Sequence, residues 1–100
     1  MYNSFFTEKV SLFIKQLPET DQAKIHASIS FLEEGDFRVV YTKKLKGEIK
    51  ELIVKRYRLV FFVKDKNIYF IYIFIKKTSK TPKSYLFQME KVYKYIKYNI

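Results

Sequence analysis

The stretch IYFIYIFI at 68–75 carries no charge and no turn-forming residue, and it constrains the fold more than any other part of the chain. Eight residues fall far short of the roughly 20 that a membrane-spanning helix needs and match the length of a strand. Because every position is apolar, the strand must be covered on both faces, with helices expected on one side and loops or a tail on the other. YRLVFFV, 57–63, precedes it across KDKN, 64–67, and this is the clearest hairpin signal in the chain. Pro82 stops the sheet from continuing beyond KKTSKTP, 76–82.

The remaining elements follow from periodicity. Val10, Phe13, Ile14 and Leu17 form a helical stripe that ends before Pro18. After the turn PETD, 18–21, the pattern resumes with Gln22, Ile25, Ile29 and Leu32, and Gly35 supplies a C-cap. YNSFF, 2–6, fits a short edge strand, with Phe6 packed beneath the first helix. FRVVY, 37–41, reads as a strand, KKLKG, 43–47, as a loop closed by Gly47, and IKELIV, 49–54, as a strand followed by a tight Lys55-Arg56 connection. In the closing helix Leu86, Met89, Tyr93 and Ile96 face inward, with Lys91, Lys94 and Lys97 mostly outward and Thr81 or Ser84 available as its cap. The expectation is one α+β domain over residues 1–100, with two N-terminal helices packed on a small, mainly antiparallel sheet and a C-terminal helix.

Several chemistries are excluded. Without cysteine there is no disulfide and no thiolate nucleophile, which suits the cytoplasm, and MYNSFFTEKV does not have the pattern of a signal peptide. His26 is the only histidine and lies on a helix; with no cysteine and no cluster of histidines and carboxylates, no metal site and no cofactor is expected. Gly35 and Gly47 are the only glycines, so a phosphate-binding glycine loop is absent. What remains is metal-free handling of a phosphate ester by Lys, Arg, and Tyr or Glu. Charge points the same way: residues 43–83 hold eleven Lys and two Arg against three acids, a net of +10, while the rest of the chain is neutral. Such concentration fits a polyanion or an acidic partner better than a solubility bias does.

KKLKGEIKELIVKRYRLVFFV, 43–63, followed by FIKKTSKTP, 74–82, resembles the HigB-like, phage Gp49-like branch of the RelE/ParE toxin superfamily. The resemblance rests on Leu45 and Gly47, Glu51-Leu52, Tyr57-Arg58, and Phe74, Lys76, Lys77, Thr78, Lys80, Thr81 and Pro82; the N-terminal helical pair with its Leu-Pro turn extends it. It implies a RelE-like fold and the toxin of a type II toxin–antitoxin pair, a ribosome-dependent ribonuclease that cuts mRNA without a metal. The implied partners are mRNA, the 70S ribosome and a helix-turn-helix antitoxin through which DNA is mainly contacted; no membrane is involved. Two positions depart from the family pattern. Ile53 stands where the family usually has Arg, with Arg56 as a candidate replacement, and Ser79 replaces a frequent Gln.

Physically, Arg58 begins a strand whose same-face neighbours Val60 and Phe62 are apolar, so it must meet an anion: either Glu51 on the adjacent strand or a phosphate held by its guanidinium fork. Lys76 and Lys77 should point to opposite faces if the strand persists. The candidate catalytic set is therefore Arg58 as transition-state clamp, Lys76 or Lys77 as proton-transfer group, and Glu51 as reserve base or orienting residue. Lys43, Lys44, Lys46, Arg56, Lys80, Thr81 and Lys83 are candidate RNA or ribosome contacts, and Tyr57, Tyr69 and Tyr72 are candidate stacking groups or core. A lysine base starts near pKa ~10.4, and moving it to neutrality takes roughly 4 kcal/mol. Enclosure against a ribosome would supply part of that, so naked RNA is expected to be a poor substrate. Two other readings stay open: a non-catalytic protein of the same fold that binds nucleic acid or an acidic partner, and a gyrase-inhibiting toxin.

Overall fold

The computed structural model describes residues 1–38, 40–77 and 80–100. Its elements in chain order are β1 (Asn3–Phe6), α1 (Glu8–Lys15), α2 (Glu19–Glu33), β2 (Tyr41–Lys46), β3 (Ile49–Val54), β4 (Tyr57–Lys64), β5 (Asn67–Ile75) and α3 (Lys83–Asn99). The strands form one sheet in the order β1-β5-β4-β3-β2. Three neighbouring pairs are antiparallel and β1 runs parallel to β5, so the sheet is mixed. The α+β class, the two early helices and the closing helix all stand where the periodicity put them.

The cover of β5 differs from expectation, because helices pack on both faces of the sheet. Val10 and Ile14 of α1, with Ile25, Ile29 and Leu32 of α2, meet Leu52, Tyr57, Leu59, Phe61 and Phe70 on one face. Met89 and Ile96 of α3 meet Ile49, Val60, Phe62, Tyr69, Ile71 and Phe74 on the other. Within β5 the register slips so that Val60 opposes Tyr72 while Phe61 opposes Phe70. Ile71 is the extra residue, and the slip puts Ile71 and Tyr72 together on the α3 side.

Local differences have identifiable causes. KKLKG is not a loop: its lysines lie on β2, an edge strand, where charged side chains reach water and guard the free edge. FRVVY starts too early as a strand, since only Tyr41 belongs to β2 and Val39 lies outside the described residues. The turn between the first helices is shorter than PETD, because Pro18 caps α2 and Glu19 and Asp21 enter its first turn, where acidic groups favour the helix dipole. Gly35, at φ 83°, donates to Leu32 O at 2.9 Å while Asp36 donates to Phe31 O at 2.9 Å, the paired bonds of a Schellman ending. Neither Thr81 nor Ser84 caps α3; Pro82 occupies that position with no side-chain cap. Lys97 does not point outward, because its ammonium reaches Glu48 at 3.1 Å and the Tyr93 hydroxyl at 2.9 Å.

Candidate functional site

The two-residue Lys55-Arg56 turn links β3 to β4, with Lys55 at φ 54°. The turn is anchored from below. Asp21 at the start of α2 accepts from Lys55 Nζ and from the Tyr57 hydroxyl, both at 2.6 Å. These two bonds hold the Asp21 carboxyl below its ordinary range, and the Asp21 bond together with burial pushes the Tyr57 phenol up. Tyr57 is therefore a buried structural residue and not a stacking platform, and Tyr69 is buried likewise.

The end of β5 lies beside this turn. The Lys76 amide donates to Arg56 O at 2.8 Å, so the ladder continues one residue past the strand and brings the following loop against the β3–β4 turn. Lys76 is half-buried, with Nζ 3.5 Å from Thr81 Oγ1, whereas Lys77 is exposed. Together with Lys80, Pro82, Phe13, Tyr72, Phe74 and Tyr85 they line an open cleft of about 470 Å³. Its aromatic wall is continuous: Tyr72 and Tyr85 have ring centroids 5.4 Å apart, and Phe74 and Tyr85 5.2 Å. Burial, and secondarily the neighbouring Tyr85, raises the Tyr72 phenol above its usual value, so it stays protonated as a donor.

Arg58 sits on the α3 face of β4, directly opposite Ile53 on one side and Phe74 on the other. Its Nη1 donates to the carbonyls of Lys55 and Tyr57, each at 3.0 Å, and its Nε lies 3.9 Å from Glu51 Oε1. Glu51 is almost wholly buried, and no described protein group donates to its Oε2. The carboxylate thus lies beneath Arg58 rather than in the cleft.

The other cationic candidates separate. Lys43 opposes Glu51 across β2 and β3 and shares the α3 face with Arg58. Lys44 opposes Lys50, which opposes Phe61, so it lies on the α1/α2 face. Lys46 is at the far end of the sheet, four residues along β3 from the Arg58 row or about 13 Å, and it pairs with Glu90 of α3 at 2.7 Å. Arg56 is exposed in the turn, and Lys83 opens α3 just beyond the cleft. The structure therefore gathers Arg56, Arg58, Lys76, Lys77 and Lys80 at one end of the sheet, with Thr81 and Lys83 adjoining. Thr78 and Ser79 of the Lys-Lys-Thr motif lie outside the described residues.

The family profile described as Phage derived protein Gp49-like (DUF891) matches residues 12–94. The chain belongs to this family. That family is part of the toxin-type RelE/HigB-like group. No curated protein was found to match the chain. The Gp49-like match starts within α1 and ends within α3, so it takes in every cationic residue of the cleft. Phe13 and Tyr85, which line the cleft of this Gp49-like domain, were not among the predicted site residues. Tyr85 had a usable signal, being an aromatic residue in the first turn of the helix that follows the basic loop. Phe13 had none, because its place in the helical stripe reads as core. Among the described residues, no helix is long and apolar enough to cross a membrane.

Proposed function

We propose that this protein is the toxin of a type II toxin–antitoxin pair, a cytoplasmic, RelE-like, ribosome-dependent endoribonuclease that cleaves mRNA without a metal. The observation that carries the proposal is the convergence of Lys76, Lys77 and Lys80 with the Tyr72–Tyr85 wall in one open cleft beside Arg58. The cations suit a phosphodiester and the rings suit a base next to it. In the reaction the RNA 2′-oxygen bonds to the adjacent phosphorus as the phosphorus–O5′ bond breaks. A 2′,3′-cyclic phosphate and a 5′-hydroxyl result. Lys76 or Lys77, as the neutral amine, accepts the 2′-hydroxyl proton. The Tyr72 phenol is placed to give a proton to the departing 5′-oxygen. Arg58 and the remaining lysines stabilise the added charge on the phosphorane. Given its burial, Glu51 orients Arg58 and does not serve as base.

The ribosome supplies the second wall of a cleft that is open on its own, and a helix-turn-helix antitoxin is the partner that silences it and carries the pair to DNA. Cleavage of a defined messenger, with and without programmed 70S ribosomes, tests the proposal. Ribosome-dependent cuts are expected, with Lys77→Ala and Arg58→Ala each losing about a hundredfold or more. No cuts under either condition, with ribosome or partner binding intact, would overturn it. Ile53 favours a second reading: it presents an apolar side chain directly opposite Arg58, where the family usually has Arg. On that reading the domain binds nucleic acid or an acidic partner and does not cleave, and the same assay decides between the two.

A further inference from the structure

The outer face of α3 is not needed to build the fold. Met89 and Ile96 fill the core, and Glu90, the only acidic residue of the helix, is half-buried and paired with Lys46. The opposite face carries Lys83, Phe87, Lys91, Lys94, Tyr95 and Tyr98, all exposed. At 100° per residue these six fall within one stripe about 120° wide. The rings are unusually open to solvent: Phe87 is 61%, Tyr95 66% and Tyr98 74% exposed. Lys91 Nζ lies 5.0 Å from the Phe87 ring centroid, so cation and ring already share a surface.

Three exposed rings interspersed with three lysines fit a strand that is anionic along its backbone and flat at its bases; the one carboxylate of the helix, Glu90, is half-buried at the edge of the stripe and paired with Lys46. The stripe also adjoins the cleft. Pro82 lines the cleft and Lys83, the next residue, begins the stripe, which from Phe87 to Tyr98 is about 16 Å long. We infer that the outer face of α3 is an extension of the RNA site, on which about three nucleotides flanking the cleft stack on Phe87, Tyr95 and Tyr98 while Lys83, Lys91 and Lys94 follow their phosphates. This extension rests on the RNA reading of the cleft and adds to it a preference for single-stranded substrate of a minimum length. A duplex keeps its bases stacked on one another and has no faces to offer these rings.

The test is fluorescence anisotropy with 2′-O-methyl oligonucleotides, which lack the attacking hydroxyl, in a length series from about 3 to 12 nucleotides. Wild-type affinity should rise with length and then level off once the rings are occupied. The triple variant Phe87→Ala/Tyr95→Ala/Tyr98→Ala should bind the shortest oligonucleotides as wild type does and lose about tenfold or more on the longest. Lys77→Ala should instead weaken every length by a similar factor. Circular dichroism checks that the surface variant is folded, and Phe87→Tyr, which keeps a ring, should keep the length dependence. A triple variant with the wild-type length dependence would overturn the extension and leave the cleft reading intact. Wild-type protein that binds no oligonucleotide of any length would overturn the extension, as would preferential binding of this face to anionic lipid vesicles with no RNA bound, while the cleft reading stands or falls with the 70S cleavage assay.

Discussion

Arg58 has two tasks in this structure, and they can be separated by measurement. The Glu51 side chain beneath it is 2% exposed, the Arg58 side chain is 16% exposed, and their nearest charged atoms are 3.9 Å apart. At that distance, with the effective dielectric that suits protein sites, the attraction is about 4 kcal/mol. The guanidinium retains some contact with water, and solvent enters when it is removed, so the net loss is smaller. Arg58→Met keeps the aliphatic stem and its packing. It removes the charge and the two bonds to the Lys55 and Tyr57 carbonyls. We expect it to cost about 2–3 kcal/mol at neutral pH, below the usual figure for breaking a fully buried pair. In a domain of this size that is about 10–20 °C in Tm. Glu51→Gln should recover about half of the loss, because it removes the stranded buried charge. Urea unfolding followed by far-ultraviolet circular dichroism, on both single variants and the double, measures the coupling. Arg58→Met within about 0.5 kcal/mol of wild type, or a double variant equal to the sum of the singles, would refute the structural role. Arg58 would then be free for phosphate alone, and its cleavage defect could be read without a folding correction.

Four other outcomes are expected. The Asp21 carboxyl is held low by Lys55 and Tyr57, so its contribution to stability is complete above its ordinary value of 3.8 and fades as pH falls through the depressed folded value. Acid unfolding of wild type and Asp21→Asn should therefore converge below about pH 4, with wild type the more stable above it; parallel curves would refute the anchor. Tyr72→Phe should slow ribosome-dependent cleavage by about tenfold to a hundredfold with little change in RNA affinity, and an equal loss in both would make Tyr72 a binding group. Lys77→Ala should lower the salt dependence of single-stranded RNA binding by about 0.7 in log–log slope, which a titration in potassium chloride reads directly. Leu52→Ala, at a fully buried position between α2 and the sheet, should cost about 2–5 kcal/mol by urea unfolding.

The parts of the fold that sequence periodicity revealed are those where burial is one-sided or complete. The helical stripes of α1 and α2, the β4–β5 hairpin and the apolar β5 all announce their packing. β2 could not be read in this way, because an edge strand with Lys43, Lys44 and Lys46 has the composition of a loop. Only the half-burial of Thr42 and Leu45 distinguishes it, and that is a property of the folded sheet. The site was legible as a set of residue types and only partly as a place. The family resemblance pointed to Lys76, Lys77, Lys80 and Arg58, and offered Arg56 only as a replacement for the Arg that Ile53 displaces. Strand alternation also separates Lys43 from Lys44, but that inference needs β2 to be known as a strand. The burial of Glu51 was not legible at all, since a glutamate between Lys50 and Leu52 reads equally well as exposed.

The uneven charge of the sequence is resolved by the fold into two populations of cations. Hairpins lay the basic segment out so that alternate turns fall at opposite ends of the sheet. At the end that holds the β2–β3 and β4–β5 turns, α3 takes up Lys46 and Lys64. Lys46 pairs with Glu90, Lys97 pairs with Glu48, and Lys64 donates to the carbonyls of Lys97 and Ile100 at 2.9 and 3.1 Å. These residues fasten the helix to the sheet, and a polyanion would have to displace those contacts to reach them. At the other end, Lys55 is committed to the Asp21 carboxylate at 2.6 Å, and Arg58 keeps its distance from Glu51. Among the described residues Lys76 and Lys77 form no salt bridge, and Arg56 is exposed in the turn. The same excess of lysine is therefore structural where α3 covers it and more open to solvent where α3 begins, and the candidate cleft lies at that boundary.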